Sequence, residues 1–584
     1  MFRDYYKQQL DLLAETAREY ADANPSIAGF LKDARREPEA ALLLQGFAFL
    51  SANIQQELDG HFPKLLHSLA QIIAPHYLRP LPSVTIVSFQ PKSNLLETIK
   101  IKSAAVLNSF GAYEAQRGCQ FRTTREVAVS PIAIKSLNWW DGHAPNSARQ
   151  IKLDIGVQGV NLDTLNLPDI RFFIDDVLST ACDFYCLLTR FLRHIDIVVD
   201  GKVVHTLNES ALSADGFGEN DTIFPMDTIQ NPIFETLQDY FAFPEKYLFL
   251  TLNLASWTSR PKAKDFSLVF HFDEPDFALP REKDLPAELF TLFSVPAVNL
   301  FRQESEPVLL DMTNHEIGIN PVRTQSDCVE SYVYSVDEVK SIRRGNATPR
   351  AFQPITAFDG QEESNPRYSL ALKPQINNLG YETYITLALP AHERLDDREV
   401  LKAELTCYNA EAAERLQPGE ICIPSNDTPE LVTFKNLYTP TMCCQPSIED
   451  DRLWRVLSDM SLNQSSLQNI STLKAMLANY TPQDQRNSLR YLQSMKKINS
   501  LIDLNIRPKE ILRSHGLLRG LCITLTVKSQ DFGSHGEYFL FGCVLDRVFA
   551  SNAAINTFTE VVFKDFNKGE LLSWAPRLGN RPIL

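Results

Sequence analysis

The strongest constraint on the fold of this chain is a stretch near its N-terminus, residues 39–91, where helical periodicity gives way to proline. Apolar side chains there recur at spacings of four and three, which predicts one stripe of an α-helix that begins at Pro38. That stripe consists of Leu43, Phe47, Leu50, Ile54 and Leu58. After an interruption at Gly60 and Pro63, a second stripe consists of Leu65, Leu66, Leu69, Ile72 and Ile73. Prolines then forbid further helix, and residues 84–89 are predicted to form a strand.

The first of these helices is apolar over more than one face, since Leu42, Leu44 and Phe49 lie off the stripe. Such a helix is expected to meet two neighbours. One of those neighbours is either part of the protein's own core or another chain. Burying one Leu or Phe side chain contributes about 1.5 to 3 kcal/mol in either case. The sequence leaves both alternatives open.

The first 82 residues are predicted to form an N-terminal helical arm. Residues 1–23 carry apolar side chains at alternating spacings of four and three, which is typical of an amphipathic helix with coiled-coil-like spacing. Those side chains are Phe2, Tyr6, Leu10, Leu13, Ala17 and Tyr20. Asn24, Pro25 and Ser26 end this helix and precede a short helix around Phe30.

Two β-rich domains, residues 83–290 and 291–445, are predicted to follow the arm. The clearest signal is the segment 195–204, in which two β-branched runs flank Asp200 and Gly201, a pair suited to a tight hairpin turn. Residues 175–192 contain too many apolar side chains for strict alternation and are predicted to form a helix lying across the strands. The other segments assigned in this part are strands at 247–254, 266–272 and 401–409, a charged linker at 273–289 and a mobile loop at 345–367.

The chain is predicted to end in a compact α+β domain, residues 446–584. Helical spacing recurs in three places, around Leu453–Met460, around Leu473–Leu477, and from Ile498 through Leu501 and Ile502. A strand at 520–529 and a strand–helix–strand pattern over 536–563 follow. The fold class is therefore predicted as α+β and multidomain, with a helical arm, β-rich middle domains and a C-terminal α+β domain.

Composition excludes several classes of protein. The net charge of −15 argues against a nucleic-acid partner, because non-specific affinity for phosphate comes from clustered Lys and Arg, and the basic runs here are only pairs. No apolar run is long enough to span a bilayer, and the N-terminal residues lack the features of a secretory signal. We therefore expect a cytoplasmic protein without disulfides, in which the ten cysteines are mostly buried thiols.

Neither catalytic motifs nor metal-binding motifs are recognisable in the sequence. Phosphate-binding loops, dinucleotide-binding loops, HExxH and GxSxG are absent. Two SxxK matches, at Ser471 and Ser494, lack their companion motifs, and the acidic pairs at 175–176, 396–397 and 450–451 point apart. Histidines and cysteines lack the spacing of a zinc site; those considered are His61, His67, His76, Cys182, Cys186, Cys443 and Cys444. The sequence predicts no enzyme activity, no cofactor and no metal.

Several segments resemble one known family. LLLQGFAFL at 42–50 is followed by LDGHFPKLLHSL at 58–69 and PHYLRPLPS at 75–83, and together they resemble the N-terminal signature of TssF, the VasA or ImpG family of type VI secretion baseplate subunits. The likeness continues in the same order through YFAFPEKYLFL at 240–250, then NLYTPT at 436–441 and LWRVLSDMSLNQSSL at 453–467. The resemblance therefore covers nearly the whole chain.

The resemblance implies a structural protein that works by assembly. A baseplate wedge subunit of this family is expected to pair as two copies with one TssG and to bind TssK, which links it to the membrane complex. Contacts with TssE, with the sheath and with the spike and tube components are implied in the same way, as is docking at the inner membrane through partners. The alternative is a cytosolic carbohydrate-binding or carbohydrate-acting module in a middle β domain, for which Trp139 and Trp140 form the only suggestive aromatic pair.

Two segments are candidate partner interfaces. The first is the helical arm, where excess apolar surface is not expected to stay exposed, and its candidate residues are Leu10, Phe47, Phe49, Leu50 and Leu58. The second is the C-terminal tail, where Trp574, Arg577 and Arg581 suggest a segment built to dock. Because the C-terminal domains of two family copies are thought to touch, the resemblance implies an inter-subunit strap. The alternative is that the tail covers an edge of its own domain.

Overall fold

The structure is a computed structural model of the protein. The residues that it describes are 6–7, 10, 13, 16, 45–52, 66–110, 118–140, 149–218, 221–225, 232–279, 288–310, 315–323, 329–343, 349–355, 366–375, 380–389, 399–446, 448, 450–460, 469–482, 488–513 and 516–579. Helices and strands are both abundant and form several separate β-sheets. The predicted α+β fold class is confirmed.

The helices and strands have the following bounds in chain order. The α-helices are α1 (Leu178–Arg190), α2 (Pro232–Ala242), α3 (Glu411–Glu414), α4 (Asp450–Met460), α5 (Ile470–Asn479), α6 (Ser488–Asn499) and α7 (His535–Ser551). Residues 45–52 and 66–73 are also helical. Short 3-10 helices occupy Pro75–Leu78, Glu209–Ala211, Pro244–Tyr247 and Ser529–Asp531.

Strands of the first half are β1 (Val84–Pro91), β2 (Ile99–Ile101), β3 (Val106–Ser109), β4 (Gln120–Thr123), β5 (Val127–Val129), β6 (Ile132–Trp140), β7 (Gln150–Val157), β8 (Asp169–Ile174), β9 (Leu192–Val199), β10 (Lys202–Asn208), β11 (Leu212–Ala214), β12 (Phe249–Asn253), β13 (Asp265–Phe272), β14 (Phe290–Leu292) and β15 (Ser294–Val298). Strands of the second half are β16 (Phe301–Glu304), β17 (Val308–Leu309), β18 (Ile317–Gly318), β19 (Tyr332–Arg343), β20 (Arg350–Pro354), β21 (Arg367–Pro374), β22 (Tyr381–Ala388), β23 (Glu399–Tyr408), β24 (Ile421–Ile423), β25 (Val432–Asn436), β26 (Leu501–Arg513), β27 (Gly516–Val527), β28 (Thr557–Asp565), β29 (Leu571–Ser573) and β30 (Arg577–Leu578).

The chain divides into two compact units. The first unit contains Met1–Leu78 together with Ser447–Met460, so that α4 joins the N-terminal residues. The second unit contains Arg79–Pro446 and Ser461–Leu584, and every sheet formed by the described residues lies in it. The predicted four-domain division at residues 82, 290 and 445 stays a prediction.

A six-stranded sheet of the second unit joins distant parts of the sequence. Its strand order is β24-β3-β4-β15-β1-β25, so strands from before residue 130 pair with strands from after residue 290. Strand β1 lies between β15 and β25 and is buried along most of its length, which explains its continuous run of β-branched and aromatic residues. Strands from both predicted β-rich domains therefore share this one sheet.

A five-stranded antiparallel sheet, in the order β10-β9-β13-β7-β6, has one buried face and one outer face. The predicted hairpin is confirmed: β9 and β10 are joined by Asp200 and Gly201, both with positive φ, as the tight turn requires. The predicted helix over 175–192 is confirmed as α1. Its Phe184 packs edge-on against Trp139 of β6, which places α1 on the buried face of the sheet.

Two further sheets complete the middle of the chain. One has the order β11-β12-β8-β14. The other is an eight-stranded sheet in the order β16-β23-β19-β20-β21-β22-β18, with β17 also paired to β23. Its core contains Val339, Ile385 and Leu401. Strand β20 falls inside the segment predicted as a mobile loop, so that prediction is wrong for residues 350–354, while 345–348 and 356–365 lie outside the described residues.

The C-terminal sheet, β26-β27-β28-β29 with β30 also on β28, packs against α7, a helix that is buried along nearly its whole length. The backbone of α1 passes so close to α7 that a Cβ atom at Gly536 would lie 2.1 Å from the carbonyl carbon of Cys182. Further along the same helix, a Cβ atom at Gly542 would lie 2.1 Å from the ring of Trp574. Only glycine fits both contacts.

Two secondary-structure predictions in this region are wrong. The segment 536–563 is predicted to begin with a strand, but its first residues belong to α7. A helix buried along nearly its whole length lacks the one-sided periodicity that reveals a helix. The missed signal is Ser534, whose hydroxyl accepts a hydrogen bond from the Glu537 amide at the helix N-terminus. Leu501 and Ile502 were expected to extend a helix, but α6 ends at Asn499 and they begin β26.

We predict that Gly536→Ala destabilises the protein more than Gly542→Ala. The new methyl group at position 536 meets backbone, which cannot move aside, whereas at position 542 it meets a side chain. Overpacking of a core costs about 1 to 3 kcal/mol, and Gly536→Ala is expected at or above the upper end of that range. Urea unfolding of the purified variants measures the difference.

The matched control is Gly46→Ala, because Gly46 is helical and has open space around its Cβ position. This change is expected to be neutral or to stabilise by up to about 1 kcal/mol. A Gly536→Ala variant as stable as the control would show that α1 and α7 do not approach each other this closely.

Candidate functional site

The helical segment at residues 45–52 points its largest apolar side chains outward. Phe47, Phe49 and Leu50 are 64%, 49% and 59% exposed, whereas Ala48 and Ala52, four residues apart, are completely buried. A helix that only completes its own core buries its large side chains instead. The large apolar side chains of this segment therefore form a solvent-exposed surface and are not part of the core.

The segment at residues 66–73 repeats the arrangement. Its buried side chains are Leu66 and Ala70, and Ala74 just beyond is buried too. Its exposed side chains are Leu69, Ile72 and Ile73. Of the other candidates from the arm, Leu10 is half-buried and Leu58 lies outside the described residues.

These exposed side chains are suited to contact with another protein. Exposed apolar patches of soluble proteins mark interaction surfaces when they are contiguous and large. Each Phe or Leu that a partner covered completely would contribute about 1.5 to 3 kcal/mol. The role of these residues as an interface stays a prediction.

In the C-terminal tail, two candidate residues contact their own domain. Trp574 is buried, stacks on Phe539 of α7, and its indole Nε1 donates a hydrogen bond to the Cys543 sulfur at 3.2 Å. Arg577 forms an ion pair with Asp546 of α7. Burial raises the pKa of the Asp546 carboxyl, and the Arg577 guanidinium opposes that rise. Arg581 lies outside the described residues, and the strap role of the tail stays a prediction.

Residues of the segment 240–250 lie in the core of the second unit. Lys246 is buried and forms an ion pair with Asp239, also buried. Burial raises the pKa of the Asp239 carboxyl against the opposing effect of Lys246. Tyr240 packs on Phe541 of α7, so this segment is part of the packing around that helix.

The segment 436–441 also has structural contacts. Asn436 donates hydrogen bonds from its side chain to the carbonyls of Gln417 and Tyr438, and it accepts one from the Ile421 amide. Tyr438 donates to the Asp175 carboxylate. Burial raises the pKa of the Tyr438 hydroxyl, and its hydrogen bond to Asp175 raises it further. These contacts connect β24, β25 and the residues after β8. Both members of the acidic pair make structural hydrogen bonds, since Asp176 accepts one from the Val177 amide.

The SxxK matches do not form nucleophile sites. Lys497 forms an ion pair with Glu537 at 2.9 Å, and Lys474 donates to the Asn499 carbonyl at 3.5 Å. Each lysine is therefore directed at a group other than the serine of its motif. The pair 396–397 lies outside the described residues.

The sequence does not reveal one cluster of potential metal ligands. His194 and Asp196 of β9 and His271 of β13 bring two imidazole nitrogens and a carboxylate oxygen within 4.8 Å of one another. Burial and the neighbouring His194 lower the pKa of the His271 imidazole, and Asp196 opposes that effect. The sequence shows only an HxD pattern and a remote histidine, and nothing in it reveals that β9 and β13 are adjacent.

Within the described residues, no helix is both long and apolar enough to cross a membrane.

Comparison with known proteins gives consistent results. A family model described as "Type VI secretion system, TssF" matches residues 1–581. The chain is 28% identical over 634 aligned positions to "Type VI secretion system component TssF1" of Pseudomonas aeruginosa strain PAO1, and the alignment covers 100% of this chain and 99% of that relative.

Two solved structures have the same fold. A chain of the TssK-TssF-TssG baseplate subcomplex of a type VI secretion system, determined by cryo-electron microscopy, has a TM-score of 0.77 at 23% identity, covering 93% of this chain and 99% of its own. A chain of the baseplate complex from the type VI secretion system has a TM-score of 0.62 at 22% identity, covering 99% and 100%.

We predict that Arg577→Ala lowers the free energy of unfolding by about 1 to 3 kcal/mol, because it leaves the buried Asp546 carboxylate without its cation. The double variant Asp546→Asn with Arg577→Ala removes the buried charge as well and is expected to recover part of that loss. Thermal and urea unfolding measure both effects.

The matched control is Arg519→Ala, since Arg519 forms an exposed ion pair with Glu510. An exposed pair contributes about 0 to 1 kcal/mol. Equal losses in Arg577→Ala and Arg519→Ala would contradict a stabilising role for the tail ion pair.

Proposed function

The chain belongs to the type VI secretion system TssF family, and on that premise we propose that it is a structural subunit of a type VI secretion baseplate. The protein acts by holding partners in place, without turnover of a substrate. We place its partner contact on apolar residues of the N-terminal arm: the exposed Phe47, Phe49 and Leu50, the half-buried Leu10, and Leu58, which lies outside the described residues.

The single observation that carries this proposal is the match of the family model to residues 1–581. The outward-facing apolar side chains at 45–52 and 66–73 support it, because they offer a surface for another chain. The solved structure with the higher TM-score is a subcomplex in which TssF occurs together with TssK and TssG, so TssG and TssK are the partners we propose first.

Finer parts of the proposal follow from the family resemblance. Two copies of this chain would share one TssG, and the complex would meet TssE, the sheath and the spike and tube components. The subunit would lie in the cytoplasm and reach the inner membrane only through its partners. In such an assembly the energy comes from buried surface and complementary shape.

The carbohydrate alternative has weaker support. Trp139, one of the two tryptophans that suggested it, is buried between Phe184 and Phe272. A tryptophan that stacks on a sugar needs a ring face open to solvent, and Trp139 is only 2% exposed. Structural assembly is therefore the function that the geometry supports best.

The main experiment is co-expression with TssG and TssK, followed by mass measurement of the purified complex. We expect two copies of this chain per TssG. Leu10→Asp, Phe47→Asp and Leu50→Asp are each expected to prevent copurification with TssG, because each places a charge in an apolar contact.

Gln45→Asp is the matched control, since Gln45 is an exposed polar residue of the same helical segment and the change adds the same charge. It is expected to copurify normally. If all three apolar variants copurified with TssG, the arm would not be the TssG contact. If the Gln45→Asp control failed to copurify, the added charge alone would explain the loss of binding.

The strap role of the tail is tested by deleting residues 580–584. This deletion removes Arg581 but retains Trp574 and Arg577, so the contacts with α7 are preserved. We expect TssG binding to remain and ring assembly, seen as baseplate foci in cells, to fail. Normal foci and secretion, or a loss of TssG binding, would each show that the strap role is wrong.

A further inference from the structure

A group of potential metal ligands lies on the outer face of the five-stranded sheet. Strands β9 and β13 are neighbours, and His194 lies directly opposite His271 in their register. Asp196 follows two residues after His194 and therefore points to the same face. The Nε2 atoms of His271 and His194 lie 3.2 and 3.8 Å from the same carboxylate oxygen, Oδ2 of Asp196.

A third strand orients the carboxylate. Thr206 of β10 lies opposite Asp196, and its hydroxyl donates a hydrogen bond of 2.6 Å to the other carboxylate oxygen, Oδ1. This bond leaves Oδ2 directed at the two histidines. Metal-binding carboxylates in proteins are commonly held by such a second hydrogen bond, which fixes their orientation.

The chemistry of the three ligands selects a class of metal. Two imidazole nitrogens and one carboxylate oxygen suit zinc and its neighbours, whereas Mg²⁺ and Ca²⁺ prefer oxygen ligands alone. Zinc–ligand bonds of about 2.1 Å in tetrahedral geometry place ligands about 3.4 Å apart. The distances from Asp196 Oδ2 to the Nε2 atoms of His271 and His194, 3.2 and 3.8 Å, lie on either side of that value.

Binding requires one local adjustment. The two imidazole rings are stacked, with centroids 4.4 Å apart and planes at 11°. Since a nitrogen ligand binds metal in the plane of its ring, parallel rings do not both aim at one ion, and at least one ring must rotate. Both side chains are partly open to solvent, so the rotation needs no repacking of the core.

We propose that His194, Asp196 and His271 bind one Zn²⁺ ion on the outer face of this sheet, with the fourth coordination position open to solvent. The ligands come from two adjacent strands of a hydrogen-bonded sheet, and Thr206 on a third strand supports them. This proposal replaces the sequence-based expectation that the protein has no metal, and it does not depend on the proposed baseplate function.

The test is isothermal titration of Zn²⁺ into the untagged full-length protein after treatment with a chelator. We expect one equivalent to bind and Mg²⁺ not to bind. His194→Ala, His271→Ala and Asp196→Asn are each expected to weaken the affinity by about 100-fold or more, and Thr206→Val by about tenfold. Zinc is also expected to raise the Tm of the wild type and not that of the ligand variants.

The matched controls are His205→Ala, on the neighbouring strand outside the cluster, and Asp154→Asn, a hydrogen-bonded carboxylate elsewhere on the sheet. Both are expected to bind zinc as the wild type does. The ligand variants should keep the wild-type Tm without zinc, which shows that they fold. Absence of stoichiometric binding in the wild type, unchanged affinity in the three ligand variants, or an equal loss in the controls would overturn the proposal.

Discussion

The fold of the second unit depends on the burial of one helix, α7. Its first turn contacts α1 by hydrogen bonds between groups more than 350 residues apart in sequence: Ser534 donates to the Ser179 carbonyl, and the Gly536 amide donates to Asp183. Further along, Phe541 packs on Tyr240 of α2, and Phe539 stacks on Trp574. The helix therefore holds together parts of the chain that form separate sheets.

This packing also explains where buried charge is tolerated. Lys497 at the end of α6 pairs with Glu537 in the first turn of α7, and Lys246 pairs with Asp239 of α2. Burying a charge without a partner costs a large free energy. Each of these charged side chains is therefore stabilised by an oppositely charged residue from a different helix. Lys246 lies in the segment 240–250, one of those that resemble the TssF family, so this part of the resemblance includes residues of the core.

The sequence predicted what is encoded locally. The Asp200-Gly201 hairpin and helix α1 follow from turn chemistry and from apolar spacing, and both were found where expected. The first half of α7 was missed because a helix buried on every side has no polar face to mark its period. The cluster of His194, Asp196 and His271 was missed for another reason: strand register brings residue 271 beside residue 194, and no short-range pattern records that pairing.

The two units differ in how far their large apolar side chains are buried. In the second unit, large aromatic residues such as Phe541 and Trp139 are buried, and buried cations such as Lys246 are paired within the chain. In the first unit, the helical segments 45–52 and 66–73 bury Ala48, Ala52, Leu66 and Ala70 and leave Phe47, Leu50 and Ile72 exposed. Buried alanines contribute little apolar area, whereas the large apolar side chains of Phe47, Leu50 and Ile72 stay open to solvent. A partner that covered Phe47, Leu50 and Ile72 would gain the free energy of burying their apolar area, which is why we propose the N-terminal arm as an assembly surface.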